Sequence, residues 1–185
     1  MIHVITPCTR PTNLVALRQS IPDECTWTIV LDESVTRHSV LDLPSLPDLK
    51  ATVYLSPHTG HSGNPNRNFA LDRMQFDELD WIYILDDDNI VHPEWYGRVK
   101  DLHDPALNMV GWGQVWKNGT PRLAPTQQPR VGHVDSASYM VRGRVMKNLR
   151  YSMEYVADGL LAEEVFTMGG YLCLNEYLAY YNWLR

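Results

Sequence analysis

Asp80-Trp81-Ile82-Tyr83-Ile84-Leu85-Asp86-Asp87-Asp88-Asn89-Ile90 decides how this chain folds. Trp81 to Leu85 carry no charge and are rich in β-branched and aromatic residues, and they run straight into three carboxylates. An uninterrupted apolar run of this length reads as a strand buried on both faces, as in a parallel sheet covered by helices. The carboxylates then fall at the strand's carboxyl end, where open α/β sheets bind their ligands. Adjacent acids repel one another until a cation or a set of donors relieves them. Hard oxygen ligands suit Mg²⁺ or Mn²⁺, which commonly join one or two carboxylates to substrate phosphates. The plainer alternative is an acidic turn, or a cap for the next helix. A calcium loop fails on geometry: counted from Asp86, its sixth and twelfth places hold Val91 and Gly97, not Gly and Glu.

Around this stretch the chain alternates strands and helices. Ile2–Thr6, Thr26–Leu31 and Ala51–Leu55 read as further strands, the second closed by Asp32 and Glu33. A helix is expected over Asn13–Gln19. A second starts with Asn64 as N-cap and Pro65 at the first helical position and runs to about Asp77. This rhythm predicts an α/β fold with a mostly parallel sheet flanked by helices. Val35–Leu49, with Pro44 and Pro47, reads as an irregular connection. Beyond the acids, a helix is expected from Pro93 to about His103, and a strand over Met109–Trp116 with an Asn118-Gly119 hairpin turn. Pro121–Arg130 reads as loop and Gly132–Val141 as strand. Helices follow over about Arg142–Leu149 and Leu160–Met168.

Size and charge narrow the function. At 185 residues the chain suits one domain with a real core. Its net charge of −6, with no basic stripe, excludes a nucleic-acid scaffold. Cys8, Cys25 and Cys173 form no CxxC pair, which points to a reducing cytoplasm. No signal peptide and no apolar run of about 18 residues is present, so no membrane span is expected. His58 and His61 share a loop, but no partner pair follows at zinc spacing.

Four blocks carry a family resemblance. They are Thr6-Pro7 with Arg10-Pro11, Asn64-Pro65-Asn66-Arg67-Asn68-Phe69-Ala70-Leu71, Ile84-Leu85-Asp86-Asp87-Asp88-Asn89, and Val134-Asp135-Ser136-Ala137. In this order and at this spacing they resemble nucleotide-sugar glycosyltransferases of the GT-A fold, β-1,3-glucuronyltransferases in particular. The third block is similar to the DxD motif of those enzymes in its triple-aspartate form. The resemblance implies a GT-A, Rossmann-like domain with a nucleotide-binding half over 1–105 and an acceptor and sugar half over 106–185. Thr6, Pro7, Arg10 and Asp32 would line the nucleoside pocket. Asp86 would meet the ribose, Asp87 would support it, and Asp88 would ligate Mn²⁺ or Mg²⁺ on the diphosphate. Arg67 would contact the donor, a UDP-sugar. Asp135 would touch the transferred sugar or the acceptor, which the sequence leaves open among saccharide, lipid and protein.

An inverting transfer needs a carboxylate to accept the acceptor's hydroxyl proton. Asp158, in a loop at a helix start, fits that role. A capping role competes with it, whereas Glu163 and Glu164 read as a solvated helix face. Two rivals from other classes are a nucleotidyltransferase and a non-catalytic nucleotide-sugar-binding domain. The first would want a glycine-rich opening loop, and Thr6–Pro11 has no glycine. The second has no use for an acid at 158.

Overall fold

The computed structural model describes residues 1–35 and 49–185. Most of the expected irregular connection Val35–Leu49 lies outside the described residues. Among the described residues a nine-stranded sheet runs through the molecule. Its strands are β1 (Ile2–Cys8), β2 (Thr26–Leu31), β3 (Thr52–Leu55), β4 (Trp81–Ile84), β5 (Ile90–Val91), β6 (Met109–Trp116), β7 (Pro121–Leu123), β8 (Tyr139–Arg142) and β9 (Tyr171–Tyr181). They lie in the order β3-β2-β1-β4-β8-β6-β9-β5, with β7 beside β6. β3, β2, β1 and β4 are mutually parallel, and so are β6 and β9. β8 runs antiparallel to both neighbours and joins the two sets.

Helices α1 (Leu14–Ser20), α2 (Asn64–Leu71), α3 (Trp95–Val99), α4 (Gly143–Met146) and α5 (Ala157–Thr167) cover the sheet. β4 shows why its sequence had to be apolar throughout. Trp81, Tyr83 and Leu85 enter one core with Leu14, Leu17, Trp95 and Val99. Ile82 and Ile84 enter the other with Phe69, Leu71, Val145, Leu161 and Val165. Successive side chains point to opposite faces, and each face has its own helices: α1 and α3 on one, α2, α4 and α5 on the other. The expected two-sided burial is present.

Several boundaries differ from expectation. α2 stops at Leu71, because the chain turns there and the Arg73 and Met74 N–H groups both reach Ala70 O. α3 covers only Trp95–Val99, and the expected Arg142–Leu149 helix is a single turn, Gly143–Met146. Gly132–Ser138 is not strand. Asp135 there caps a 3₁₀ turn over Ser136–Ser138 in a reciprocal box with Ser138, so strand character begins at Tyr139. α5 begins at Ala157, which places Asp158 inside its first turn instead of ahead of it. The C-terminal aromatic stretch is the long strand β9. Gly113 of β6 makes room for it, since a Cβ there would lie 2.6 Å from the Tyr177 ring.

Candidate active site

The register places the first loop over the acids. β1 pairs Ile5 with Ile84 and continues to Cys8 beyond the end of β4, so Thr9 and Arg10 arrive above Asp87. Asp87 Oδ2 accepts the backbone N–H groups of Thr9 (2.6 Å) and Arg10 (2.7 Å). Its Oδ1 pairs with the Arg10 guanidinium. Asp87 is thereby spent on holding the loop. Asp88 Oδ2 meets Arg10 Nη1 at 3.1 Å and Arg185 Nε at 2.7 Å. Burial, then the neighbouring Asp86 charge, push the Asp88 carboxyl above the ordinary carboxylate range.

Asp86 faces the other way. Its Oδ1 accepts from Arg67 Nη2 at 2.7 Å and its Oδ2 from Ser136 Oγ at 3.0 Å. Arg67 also donates to Asn64 Oδ1 at 2.8 Å and lies 5.2 Å from the centre of the Tyr151 ring. The side chain is buried, and its Nε has no partner among the described residues. Asn64 is the first residue of α2 and not its cap: Gly63 precedes it with φ +79°. His61 and Ser62 also hold positive φ, which is strained for residues with a Cβ. A Cβ on Gly63 would come within 3.0 Å of Pro7, so this tight turn lets α2 approach the first loop.

At the end of β2, Asp32 is closed in by Ser34 and by Asn66, whose Nδ2 donates to Oδ2 at 2.8 Å. Burial draws this carboxyl upward, but hydrogen bonds from Ser34, Thr59 and Asn66 hold it below its ordinary value. Thr6 does not face the same space. It shares the strand face of Val4 and Cys8, and its hydroxyl accepts from Trp27 Nε1 at 3.0 Å inside the core. Its expected place in the nucleoside pocket is therefore corrected: alternation sends Pro7 to the cleft and Thr6 away from it.

Asp135 and Asp158 close the far side. Asp135 Oδ2 pairs with Arg122 at 3.1 Å, and Oδ1 accepts the Ala137 N–H at 3.1 Å. Burial and the Asp86 charge raise its carboxyl, against the pull of Arg122. Asp158 Oδ1 accepts the Gly159 N–H at 2.8 Å. Burial first, then Asp135, push the Asp158 carboxyl up to about 6. Glu163 is not on a solvated face, because its Oε1 accepts the Val131 N–H at 2.9 Å and ties that loop to α5.

A cleft of about 540 Å³ gathers Pro7, Arg10, Asp32, Arg67, Asp86, Asp87, Asp88, Asp135 and Asp158. Every expected site residue except Thr6 lines it. It also contains residues the sequence did not single out, among them Ser136, Arg122, Tyr181 and Arg185. Among the described residues no three His, Cys, Asp or Glu side chains are grouped to hold a metal ion. A single carboxylate such as Asp88, completed by a ligand's own oxygens, would be a different donor set. One carboxylate with phosphate oxygens and water suits Mg²⁺ or Mn²⁺, and the raised Asp88 carboxyl is a charge that a cation would relieve. Among the described residues no helix is long and apolar enough to cross a membrane.

No protein-family model matches the sequence, and no match was found among curated proteins. Solved structures do match. Staphylococcus aureus TarS, a glycosyltransferase, superposes with TM-score 0.73 at 17% identity, over 98% of this chain and 36% of its own. TarS 1-349 in complex with UDP-GlcNAc gives TM-score 0.71 at 16% identity, over 97% of this chain and 57% of that one. A provisionally named glucose-1-phosphate thymidylyltransferase of Bacillus anthracis gives TM-score 0.59 at 11% identity, over 93% and 85%. The chain thus spans about a third of the first TarS chain and under two thirds of the 1-349 form. At such identities the likeness is one of fold, and that fold is mixed α/β, similar to the GT-A glycosyltransferases.

Proposed function

We propose that this chain is a glycosyltransferase that moves a sugar from a nucleotide-diphosphate donor, a UDP-sugar, to a hydroxyl of a saccharide, lipid or protein acceptor. One observation carries the reading. The acids at the end of β4 and Asp158, an acid raised to about 6, line one cleft at the carboxyl edge of the parallel strands. The UDP and UDP-GlcNAc complexes of TarS support a nucleotide sugar as the ligand.

In this reading Pro7, Asp32 and Asn66 border the nucleoside, Asp86 meets the ribose, and Arg10 stands where the diphosphate lies. Mn²⁺ or Mg²⁺ would be held by Asp88 and, when bound, supplies electrostatic stabilisation of the leaving diphosphate. Asp135 holds the transferred sugar. Asp158 takes the proton from the acceptor hydroxyl as that oxygen bonds to the anomeric carbon. The bond from that carbon to the diphosphate breaks, and configuration inverts.

Asp88→Ala is expected to abolish metal-dependent UDP binding while the chain stays folded, because the arginines released from it, Arg10 and Arg185, already reach solvent. Calorimetry with UDP and Mn²⁺ measures this. Affinity equal to the parent's would refute the metal assignment. Nucleotidyl transfer is the second reading, favoured by the thymidylyltransferase match over most of that protein's length. Against it stand an opening loop without glycine and a raised acid at 158 that such chemistry does not need.

A further inference from the structure

Arg122 sits on the three-residue strand β7, which contributes no side chain to either core. The hairpin does something specific with this one residue. Arg122 Nη1 bonds both Gln114 Oε1 and Asp135 Oδ2, the latter at 3.1 Å. Gln114 Nε2 points at the other Asp135 oxygen, at 3.4 Å, and closes a triangle. Gln114 is fully buried. The guanidinium lies 3.6 Å from the centre of the Tyr181 ring, which in turn packs edge-on to Trp116. Arg122 is thus clamped by a buried amide, a carboxylate and an aromatic face, at the wall of the cleft.

We infer that Arg122 is a positioning residue for the sugar subsite: it fixes the Asp135 carboxylate at the cleft wall as an acceptor for hydroxyl groups of the transferred sugar. The inference rests on the donor reading above and deepens it. An ionised carboxylate is an acceptor-only group, matched to sugar hydroxyls that donate. Asp135 faces Arg122 from β7, Arg67 from α2, the Asp86 charge beyond β4 and Asp158 from α5. Of these, Arg122 alone forms an ion pair with it. Without Arg122, burial and the two acids act on Asp135 against the Ala137 N–H and Arg67.

The test compares UDP with UDP-GlcNAc and UDP-glucose by calorimetry in Mn²⁺ at neutral pH, for the parent, Arg122→Gln and Arg122→Lys. Arg122→Gln should bind UDP within about twofold of the parent, which also reports an intact fold. The extra affinity conferred by the sugar should fall at least about tenfold relative to the parent. Arg122→Lys, which keeps the charge and loses the fork, should lie between them, and it decides the matter if Arg122→Gln does not fold. UDP and UDP-sugar affinities falling together, or an unchanged sugar increment, overturns the inference and leaves the donor reading standing. A parent that binds none of the three nucleotides overturns both.

Discussion

Asp158→Asn is expected to lower turnover by about 10²–10⁴-fold while donor affinity stays near the parent's. A general base acts on the chemical step, after the donor is already held by residues on the other side of the cleft. Asparagine keeps the Oδ1 that accepts the Gly159 N–H, so the start of α5 is preserved. The pH dependence should follow the same group. Transfer requires the ionised carboxylate, so kcat/KM should rise with pH through about 6 and level off above it. Stability should move the opposite way. The folded carboxyl at about 6 lies above the ordinary Asp value, so the native state binds the proton more tightly. The resulting destabilisation builds up as pH rises from about 4 to 6 and is complete at neutral pH. Asp158→Asn should therefore melt at or above the parent at pH 7 and show no such gain at pH 4. Near-parental turnover, or a product that retains the donor's configuration, would remove Asp158 from the role of base.

Arg67→Met should cost about 3 kcal/mol of stability, because it strips a buried partner from Asp86 and leaves Asn64 Oδ1 unpaired. For a chain of this size that is a fall in Tm of roughly 10 °C. Arg67→Lys should be milder in stability, yet still weaken UDP-sugar binding, since an ammonium cannot span Asn64, Asp86 and Ser136 from one planar fork. The resemblance implies a donor contact for Arg67, and its bonds add a structural role. The guanidinium lines the cleft as the counter-ion of Asp86, so in the proposed reading part of its effect on a donor would pass through that carboxylate. Parental stability in Arg67→Met, measured by thermal melts at neutral pH, would contradict this.

Much of the fold was legible because local patterns agreed with the packing. β4 is uniformly apolar because each of its faces meets a different core, and the Asn118-Gly119 turn marked the β6–β7 hairpin, where Gly119 takes φ +83°. The acid cluster was readable for the same reason: charge that follows a two-sided strand has nowhere to go but the sheet edge. Thr6 was misplaced although strand parity could have set it apart from Pro7. Gly132–Ser138 mimics alternation, and the signal that overrules it, Asp135 followed three residues later by Ser138, is a capping box that was available to read. Gly159 resembles a breaker, and local pattern alone therefore starts α5 after Asp158. Burial of Ala157 and Leu161, four residues apart, carries the helix past it. Arg122, Ser136 and Arg185 left no local trace. Each gains its role from a partner far along the chain, Asp135, Asp86 and Asp88 respectively, and no periodicity encodes such a pairing.

The central claim is that this cleft transfers a sugar, and product analysis tests it most directly. The intact chain is incubated with Mn²⁺ and a UDP-sugar, and in parallel with dTTP and a sugar 1-phosphate, and the released UDP and pyrophosphate are quantified. The account predicts UDP release from the first mixture, reduced to background by Asp88→Ala and about 10²-fold or more by Asp158→Asn, with no pyrophosphate from the second. Pyrophosphate from the second mixture with no UDP from the first would contradict it and establish nucleotidyl transfer instead.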